Sequence, residues 1–493
     1  MSAFIRIAIT VFWLAMCGWL LSSIPWHSKS VINYRNLLRD GTMIRDSYMK
    51  ISLNDKAIGF SNSRVDVNER NPRLHYLMEN TVEMVMNVMG IPQRIHTRSK
   101  AFLDKDYQLQ VFSFNLESDV YSTEIRGEKA SGETFNVTIG TGKSKNELTA
   151  RIPHDAIVYS PMGEMALKEL APGETLTMPT FNPLTMSTDK ILIKALERES
   201  ITIGTNTIKT IKVSSSLNGE QVFSWVNKNG QIIRQESPTG MVMEECTFRE
   251  AMALDYNSGS QEDLLALLAV PSNGDIANPR ELSELTLKLH GVELDAADLT
   301  NHRQTILEKH DDGLIMKIHT RPVEKPMHPD EQIIRKALAS SPYIQSTHPS
   351  IRAQAQSITQ GLTTKEQQAY AVNQWVYQNL TKVPTVSIPS ALDVLQHRQG
   401  DCNEHTYLAT ALLRSIQIPC RIMVGVVHMK GAFYYHAWPS VYLDGWHDMD
   451  PTFGQNTADA THIALTMGEL EDQAAIMRMI GKLKIDVIEE DSL

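Results

Sequence analysis

The segment Gly400-Asp401-Cys402-Asn403-Glu404-His405 sets a cysteine at the joint between a turn glycine and an amphipathic run. That joint reads as a helix start. Asp401 has the side chain of an N-cap and Glu404 follows at capping-box spacing, after which Leu408, Ala411, Leu412 and Ile416 recur on one helical face. Cys402 is therefore expected as the first helical residue. There its sulfur would meet unpaired backbone N–H groups and the positive end of the helix dipole, both of which favour thiolate over thiol. A cysteine used only as a small buried hydrophobe has no need of such a position.

The residues downstream extend the pattern. Pro419 closes the helix, Arg421 to Val427 reads as a buried strand, and Tyr434-Tyr435-His436-Ala437-Trp438 begins the next one. After Asp444-Gly445, residues Trp446 to Asp450 return and end at Pro451-Thr452. Helix, strand and hairpin thus supply a cysteine, a histidine able to take its proton and a carboxylate able to fix the tautomer of that histidine. Physics alone leaves rivals, with His405, His428 and His447 competing with His436, and Asp448 with Asp450. A two-residue turn at Asp444-Gly445 would set Asp450 opposite Pro439 and not opposite His436. Bringing the pair together needs a bulge or an early end to the ladder at Pro439, which has no N–H to donate.

Five fragments in order, Gly400 to His405, Leu408 to Leu413, Ile418-Pro419-Cys420-Arg421, His436-Ala437-Trp438 and Asp450-Pro451-Thr452, resemble the core of the transglutaminase-like superfamily of papain-related thiol enzymes, in its bacterial membrane-anchored type. The chain departs from many relatives at Pro439-Ser440, where an acidic residue is common, and at Gln417, where a glycine is common. Neither departure touches the three reactive positions. The resemblance implies Cys402 as nucleophile, His436 as base and Asp450 as orienting acid, with acyl transfer at amide bonds through a thioester. Hydrolysis is the outcome it favours, and a peptidase or amidase the expected enzyme. A protein cross-linking transglutaminase is the alternative. A second alternative is a non-catalytic module, either an envelope scaffold or a zinc site built from Cys402, His405, His428 and Cys420, although no C-x-x-C pair supports the latter. The mechanism needs no cofactor, and no acidic loop of the EF-hand type calls for calcium.

The remainder of the 493 residues suggests about three domains. With 42% hydrophobic and 21% charged residues the chain is of globular composition, and a formal charge of −10 argues against a nucleic-acid partner. Ile7 to Ile24 is an apolar run of about 18 residues, long enough to span a bilayer. Without a clear small-x-small cleavage site it reads as an uncleaved anchor in preference to a signal peptide. From Met43 to Phe248 the apolar residues alternate with period two, and Asn218-Gly219 and Asn229-Gly230 punctuate three strand-like runs, Ile211 to Leu217, Val222 to Asn227 and Ile232 to Glu236. The phase slips at Val111-Phe112, which suggests a bulge. Leu285, Leu287 and Leu289 alternate again, Gly313 to His319 offers another strand, and Arg321 to Asp330 is a proline-punctuated linker. Helical spacing follows over Ile333 to Leu338, Ile351 to Leu362 and Ala369 to Leu380. Cys17, Cys246, Cys402 and Cys420 are too few for a disulfide framework.

The expected architecture is α+β: a papain/transglutaminase-like C-terminal domain preceded by largely antiparallel β domains and an N-terminal membrane helix. Its parts are 1–28 (anchor or signal segment), 29–255 (β-rich domain), 256–325 (small β-containing unit and linker) and 326–493 (catalytic domain). The partners expected are a peptide or protein substrate, the membrane through the N-terminal helix, and an envelope protein through the β domains. The catalytic domain is expected outside the cytoplasm, in the periplasm or its equivalent.

Overall fold

Alternation of small β-favouring and polar residues builds most of this chain. In Ser122–Ser131, Thr123, Ile125 and Gly127 are buried while Ser122, Glu124, Arg126 and Glu128 face solvent, and the paired strand Thr134–Thr141 buries Phe135, Val137, Ile139 and Thr141 in the same register. A computed structural model describes residues 45–142, 144–154, 156, 167, 170–217, 220–238, 240–256, 263, 268–322, 330–388, 390–473, 476 and 479–492. The proposed anchor Ile7 to Ile24, Cys17, Asn218-Gly219 and most of the linker after Pro322 lie outside the described residues. No helix among the described residues is long and apolar enough to cross a membrane.

Fourteen described strands form one antiparallel sheet. Eight run as successive hairpins from Arg45–Leu53 to Ser144–Arg151, and six from Thr175–Asn182 to Met241–Cys246. The first and last of these strands pair along Tyr48 to Leu53, which joins the two meanders into one surface. The turn at Asn229-Gly230 joins Glu220–Asn227 to Ile232–Glu236 as its sequence requires. The phase slip is found one residue earlier than expected. Leu103 pairs with Leu109 and Phe102 with Val111, so Gln110 is the extra residue, and its amide donates to Asp104 at 2.8 Å.

A second sheet takes Leu282–His290, Gln304–His310 and Gly313–His319, and its fourth strand is the C-terminal segment Lys484–Ser492. The small unit expected near 256–325 therefore shares its sheet with residues from beyond the Cys402 region. Chain connectivity hid this, because antiparallel pairing with Leu282–His290 joins segments nearly two hundred residues apart.

The C-terminal region packs helices Glu331–Leu338, Pro349–Ile358, Lys365–Asn379 and Ala391–His397 around Cys402–Ser415, against a sheet ordered Trp446–Asp448, Ala432–Tyr442, Cys420–Met429, Ile463–Met467. The Cys402 helix is central. Tyr407, Leu408, Ala411, Leu412 and Leu413 on it are fully buried, and each leucine contributes about 1.5–3 kcal/mol by leaving water. The large sheet leans on the loop that leads into this helix. The Tyr121 hydroxyl donates to the Gln399 carbonyl at 2.5 Å, and its ring meets His397 at 5.5 Å. Asn146 donates to Pro342 at 3.0 Å, and Tyr343 reaches back to Leu184 at 2.9 Å. The β sheet thus buttresses the segment carrying Cys402.

Candidate active site

Asp401 caps the helix as its sequence suggests. Its carboxylate accepts from Asn403 N–H at 3.1 Å while Glu404 accepts from Asp401 N–H at 2.8 Å, a reciprocal capping box that leaves Cys402 as the first helical residue. Gly400 makes the turn possible. It holds φ at +147°, and a Cβ there would lie 2.2 Å from the Glu404 Cβ. Thr406, one turn along, donates to the Ala437 carbonyl at 2.9 Å, and the Ala437 N–H points at the Cys402 sulfur. Helix and strand are thereby clamped on both sides of the residue that follows His436.

His436 lies on Ala432–Tyr442, opposite Gly425. A Cβ on Gly425 would lie 1.8 Å from the Ile463 carbonyl, so glycine is what lets Ile463–Met467 close in behind His436. The hairpin register differs from the simple two-residue turn. Tyr442 pairs with Trp446 and Ser440 with Asp448, so Leu443, Asp444 and Gly445 all belong to the connection, with Leu443 N–H bonded to the Gly445 carbonyl at 3.0 Å. The last contact is Met449 N–H to the Pro439 carbonyl at 3.0 Å, after which the chain leaves the ladder and Asp450 bridges to Gln455. This early end re-aims Asp450. Its Oδ2 lies 2.8 Å from His436 Nε2, and its Oδ1 accepts from Thr452 and Phe453 N–H groups at 2.6 and 3.1 Å. Asn373 and Gln374, on Lys365–Asn379, tie down the loop through the Gln455 and Gly454 carbonyls at 3.0 and 2.6 Å.

Aromatic rings wall His436. Phe453 stacks on one side at 5.2 Å and Trp438 lies nearly parallel at 6.0 Å, which leaves His436 6% exposed. A third ring, His462, approaches Asp450 Oδ2 at 3.0 Å through its own Nε2. Burial alone would raise the Asp450 carboxyl, but the two imidazoles, His436 first, outweigh it and hold it well below the usual carboxylate range. His462 and Asp459 were not legible from the sequence. They follow the Asp450-Pro451-Thr452 fragment with no motif spacing to single them out.

At Cys402 the tertiary surroundings act against the helix start. Burial pushes its thiol well up, the Asp401, Glu404 and Asp450 carboxylates add to this, and the Ala437 N–H opposes it. Asp401 is itself raised, first by burial and then by the charge of Glu404. A base beside the sulfur would offset this rise by taking the proton, and Cys402 keeps part of its surface open for a reactant. Cys420 is fully buried, with its thiol pushed up to about 11 by burial.

His405, His447 and Asp448 have other partners. His405 Nδ1 bonds the Asp401 carbonyl of its own helix at 2.6 Å. His447 is held by Asn456 and Thr457 at 2.9 and 3.2 Å. Asp448 is taken by Arg303, His302 and the Trp438 indole N–H at 3.2, 3.0 and 3.0 Å. Trp375 packs on the core beneath the Arg398 guanidinium. The quartet Cys402, His405, His428 and Cys420 is not assembled as a ligand set, and the group brought together among the described residues is His436, Asp450 and His462. Their contacts of 2.8 and 3.0 Å are hydrogen-bond distances, shorter than the roughly 3.3 Å between ligand atoms around a tetrahedral zinc.

A cysteine at a helix start facing a strand that presents a buried histidine–aspartate pair defines a papain-like thiol enzyme. Residues 352–451, which contain all three residues, match the family model of the transglutaminase-like superfamily, and the C-terminal region of this chain is a domain of that superfamily. An uncharacterized protein of Mycobacterium leprae (strain TN) is 28% identical over 121 residues, which span 22% of this chain and 42% of that protein. Among solved structures, a proposed cysteine protease from Cytophaga hutchinsonii matches 43% of this chain and 86% of its own, at 16% identity and a TM-score of 0.28. A β-barrel-like protein of unknown function from Brucella abortus matches 42% and 98%, at 9% identity and a TM-score of 0.31.

Proposed function

We propose that this protein is a cysteine acyl-transfer enzyme acting on amide bonds of peptides or proteins, with Cys402 as nucleophile, His436 as general base and acid, and Asp450 as the residue that orients His436. The observation that carries the reading is the buried 2.8 Å contact between His436 Nε2 and Asp450 Oδ2, one residue from the Ala437 N–H that faces the Cys402 sulfur. Asp450 commits Nε2, which leaves Nδ1 to accept the thiol proton. The sulfur then attacks the carbonyl carbon, and the first N–H groups of the Cys402 helix are suited to receive the oxyanion. His436 returns the proton to the departing amine, leaving a thioester on Cys402. Water or a second amine, deprotonated by His436, releases the acyl group and restores the thiol.

Hydrolysis is the favoured outcome, on the ground that water competes readily for a thioester on a partly open Cys402. The apolar run Ile7 to Ile24 supports a membrane-anchored protein with its catalytic domain on the outer side, where envelope peptides are the natural substrate class. One experiment tests the chemistry: trap the acyl-enzyme on envelope peptides, chase with a labelled primary amine, and analyse products by mass spectrometry. An acyl group on Cys402 that leaves mainly as free acid is expected. Predominant amine incorporation would replace hydrolysis by cross-linking, and no acyl group on Cys402 would remove the assignment.

A further inference from the structure

His462 is buried, and both of its ring nitrogens face oxygen. Nε2 meets Asp450 Oδ2 at 3.0 Å, while Nδ1 meets the Asp459 carboxylate and the Asp459 backbone carbonyl, each at 3.3 Å. A ring with acceptors on both sides needs a proton on each nitrogen, which makes it an imidazolium. Burial would discourage that charge, but Asp459 and Asp450 outweigh the burial and raise its affinity for the second proton.

Asp459 is anchored in turn. Its Oδ2 accepts from Arg280 at 2.6 Å and from Gln455 at 2.9 Å, and its Oδ1 accepts from the Thr461 N–H and hydroxyl at 2.8 and 2.5 Å. Arg280 comes from the segment leading into the second sheet, and its guanidinium also lies 4.3 Å over Phe453, the ring stacked on His436. Two routes therefore run from Arg280 to His436, one through Asp459, His462 and Asp450, the other through Phe453. The groups facing His462 are Asp450 and Asp459 from its own loop and His436 from the neighbouring strand, with Arg280 behind Asp459. Two anions and two cations balance in a region where an unpaired charge would be costly.

We propose that His462 is a positioning residue: an imidazolium strung between Asp450 and Asp459 that keeps Asp450 ionised, aims it at His436, and lowers the pH at which the Cys402–His436 pair takes up a proton. The inference rests on the reading of Cys402, His436 and Asp450 given above. A buried cation whose ring lies 5.7 Å from His436 opposes any further positive charge there, and it opposes protonation of a Cys402 thiolate in the same sense. Without it, the pair would hold its proton to higher pH.

The test is the rate of Cys402 alkylation by iodoacetamide from about pH 5 to about pH 10, resolved by peptide mass spectrometry, in the full-length protein and its His462→Gln and His436→Ala variants. Glutamine keeps a hydrogen-bonding side chain and removes the charge. The expected result is a midpoint moved upward by about one pH unit in His462→Gln, with a roughly tenfold slower reaction on the acidic side. A folded His462→Gln protein with the parental midpoint would overturn the role of His462, while loss of the profile in His436→Ala leaves the parent reading standing. An unchanged profile in His436→Ala would sink the parent reading instead. Should His462→Gln fail to fold, histidine-labelled parental protein decides by nitrogen NMR: two protonated nitrogens on His462 at neutral pH support the inference, and a neutral ring contradicts it.

Discussion

Thr406 donates its hydroxyl to the Ala437 carbonyl at 2.9 Å, tying the Cys402 helix to the His436 strand through the residue whose N–H faces the Cys402 sulfur. Both partners are buried. Thr406→Val keeps the shape and leaves a buried carbonyl without its donor, which costs about 1–3 kcal/mol. Urea denaturation should show that loss, and Cys402 alkylation should slow in the protein that remains folded.

The three described cysteines differ in access as well as in proton affinity. Cys402 and Cys246 are partly exposed and Cys420 is fully buried. Peptide-resolved iodoacetamide labelling should find Cys420 unmodified in the folded protein at near-neutral pH. Cys402→Ala should remove the fast-labelled site, whereas Cys420→Ala should leave it. Labelling of Cys402 and Cys420 at equal rates would contradict the assignment.

Gly400→Ala forces a side chain onto a backbone with φ at +147° and into the Glu404 side chain. Strain of this kind costs about 1–3 kcal/mol. Because Glu404 completes the cap over Asp401, the variant is expected to lose Cys402 reactivity beyond what its lowered melting temperature explains. Calorimetry paired with alkylation rates separates the two effects.

Much of this site could be read from the residues, and the reasons for the remainder are physical. The Asp401–Glu404 cap and the Cys402 helix are local, decided by side chains within one turn, and they appear as the sequence suggests. The hairpin was visible from its alternation. Its register was not, because Leu443 joins the connection and moves every pair by one position. Proton affinity at Cys402 is not legible locally for a similar reason: the dipole is local, but burial and the Asp450 carboxylate arrive from the tertiary fold. Arg280, Arg303 and His462 belong to no motif. The two arginines arrive with the second sheet, which closes on the loop after Asp450, and His462 is set by the path of that loop itself.

Arg303 illustrates that closure. Only 2% exposed, it donates to Asp448 at 3.2 Å and to the Ala458, Asp459 and His319 carbonyls at 2.8, 2.7 and 2.6 Å. Arg303→Ala takes the guanidinium from the Asp448 carboxylate, leaving it His302 and the Trp438 indole, and removes a donor from three carbonyls; removing one partner of a buried pair costs about 3–5 kcal/mol. Urea titration should report a loss of that size, with the transition still cooperative if the second sheet and the Cys402 region fold together.

Stability should also have a defined pH window. Asp450 and Asp459 are held well below the usual carboxylate range, so their contribution is complete above the unfolded value of about 4 and is lost as pH falls below it. His462 is raised, so its contribution is complete below the unfolded value of about 6.5 and is lost as pH rises through its folded value. Denaturation midpoints measured across pH should therefore peak between these limits. Replacing His462 by Gln should flatten the alkaline side.

The central claim is that His436, and no other histidine near the sulfur, accepts the Cys402 proton. Alkylation rates of Cys402 in folded His436→Ala and His405→Ala proteins, at one pH near neutral, address it most directly. His436→Ala should slow the reaction by on the order of a hundredfold, with His405→Ala altering it far less. The reverse order, a dispensable His436 and an essential His405, would contradict the account.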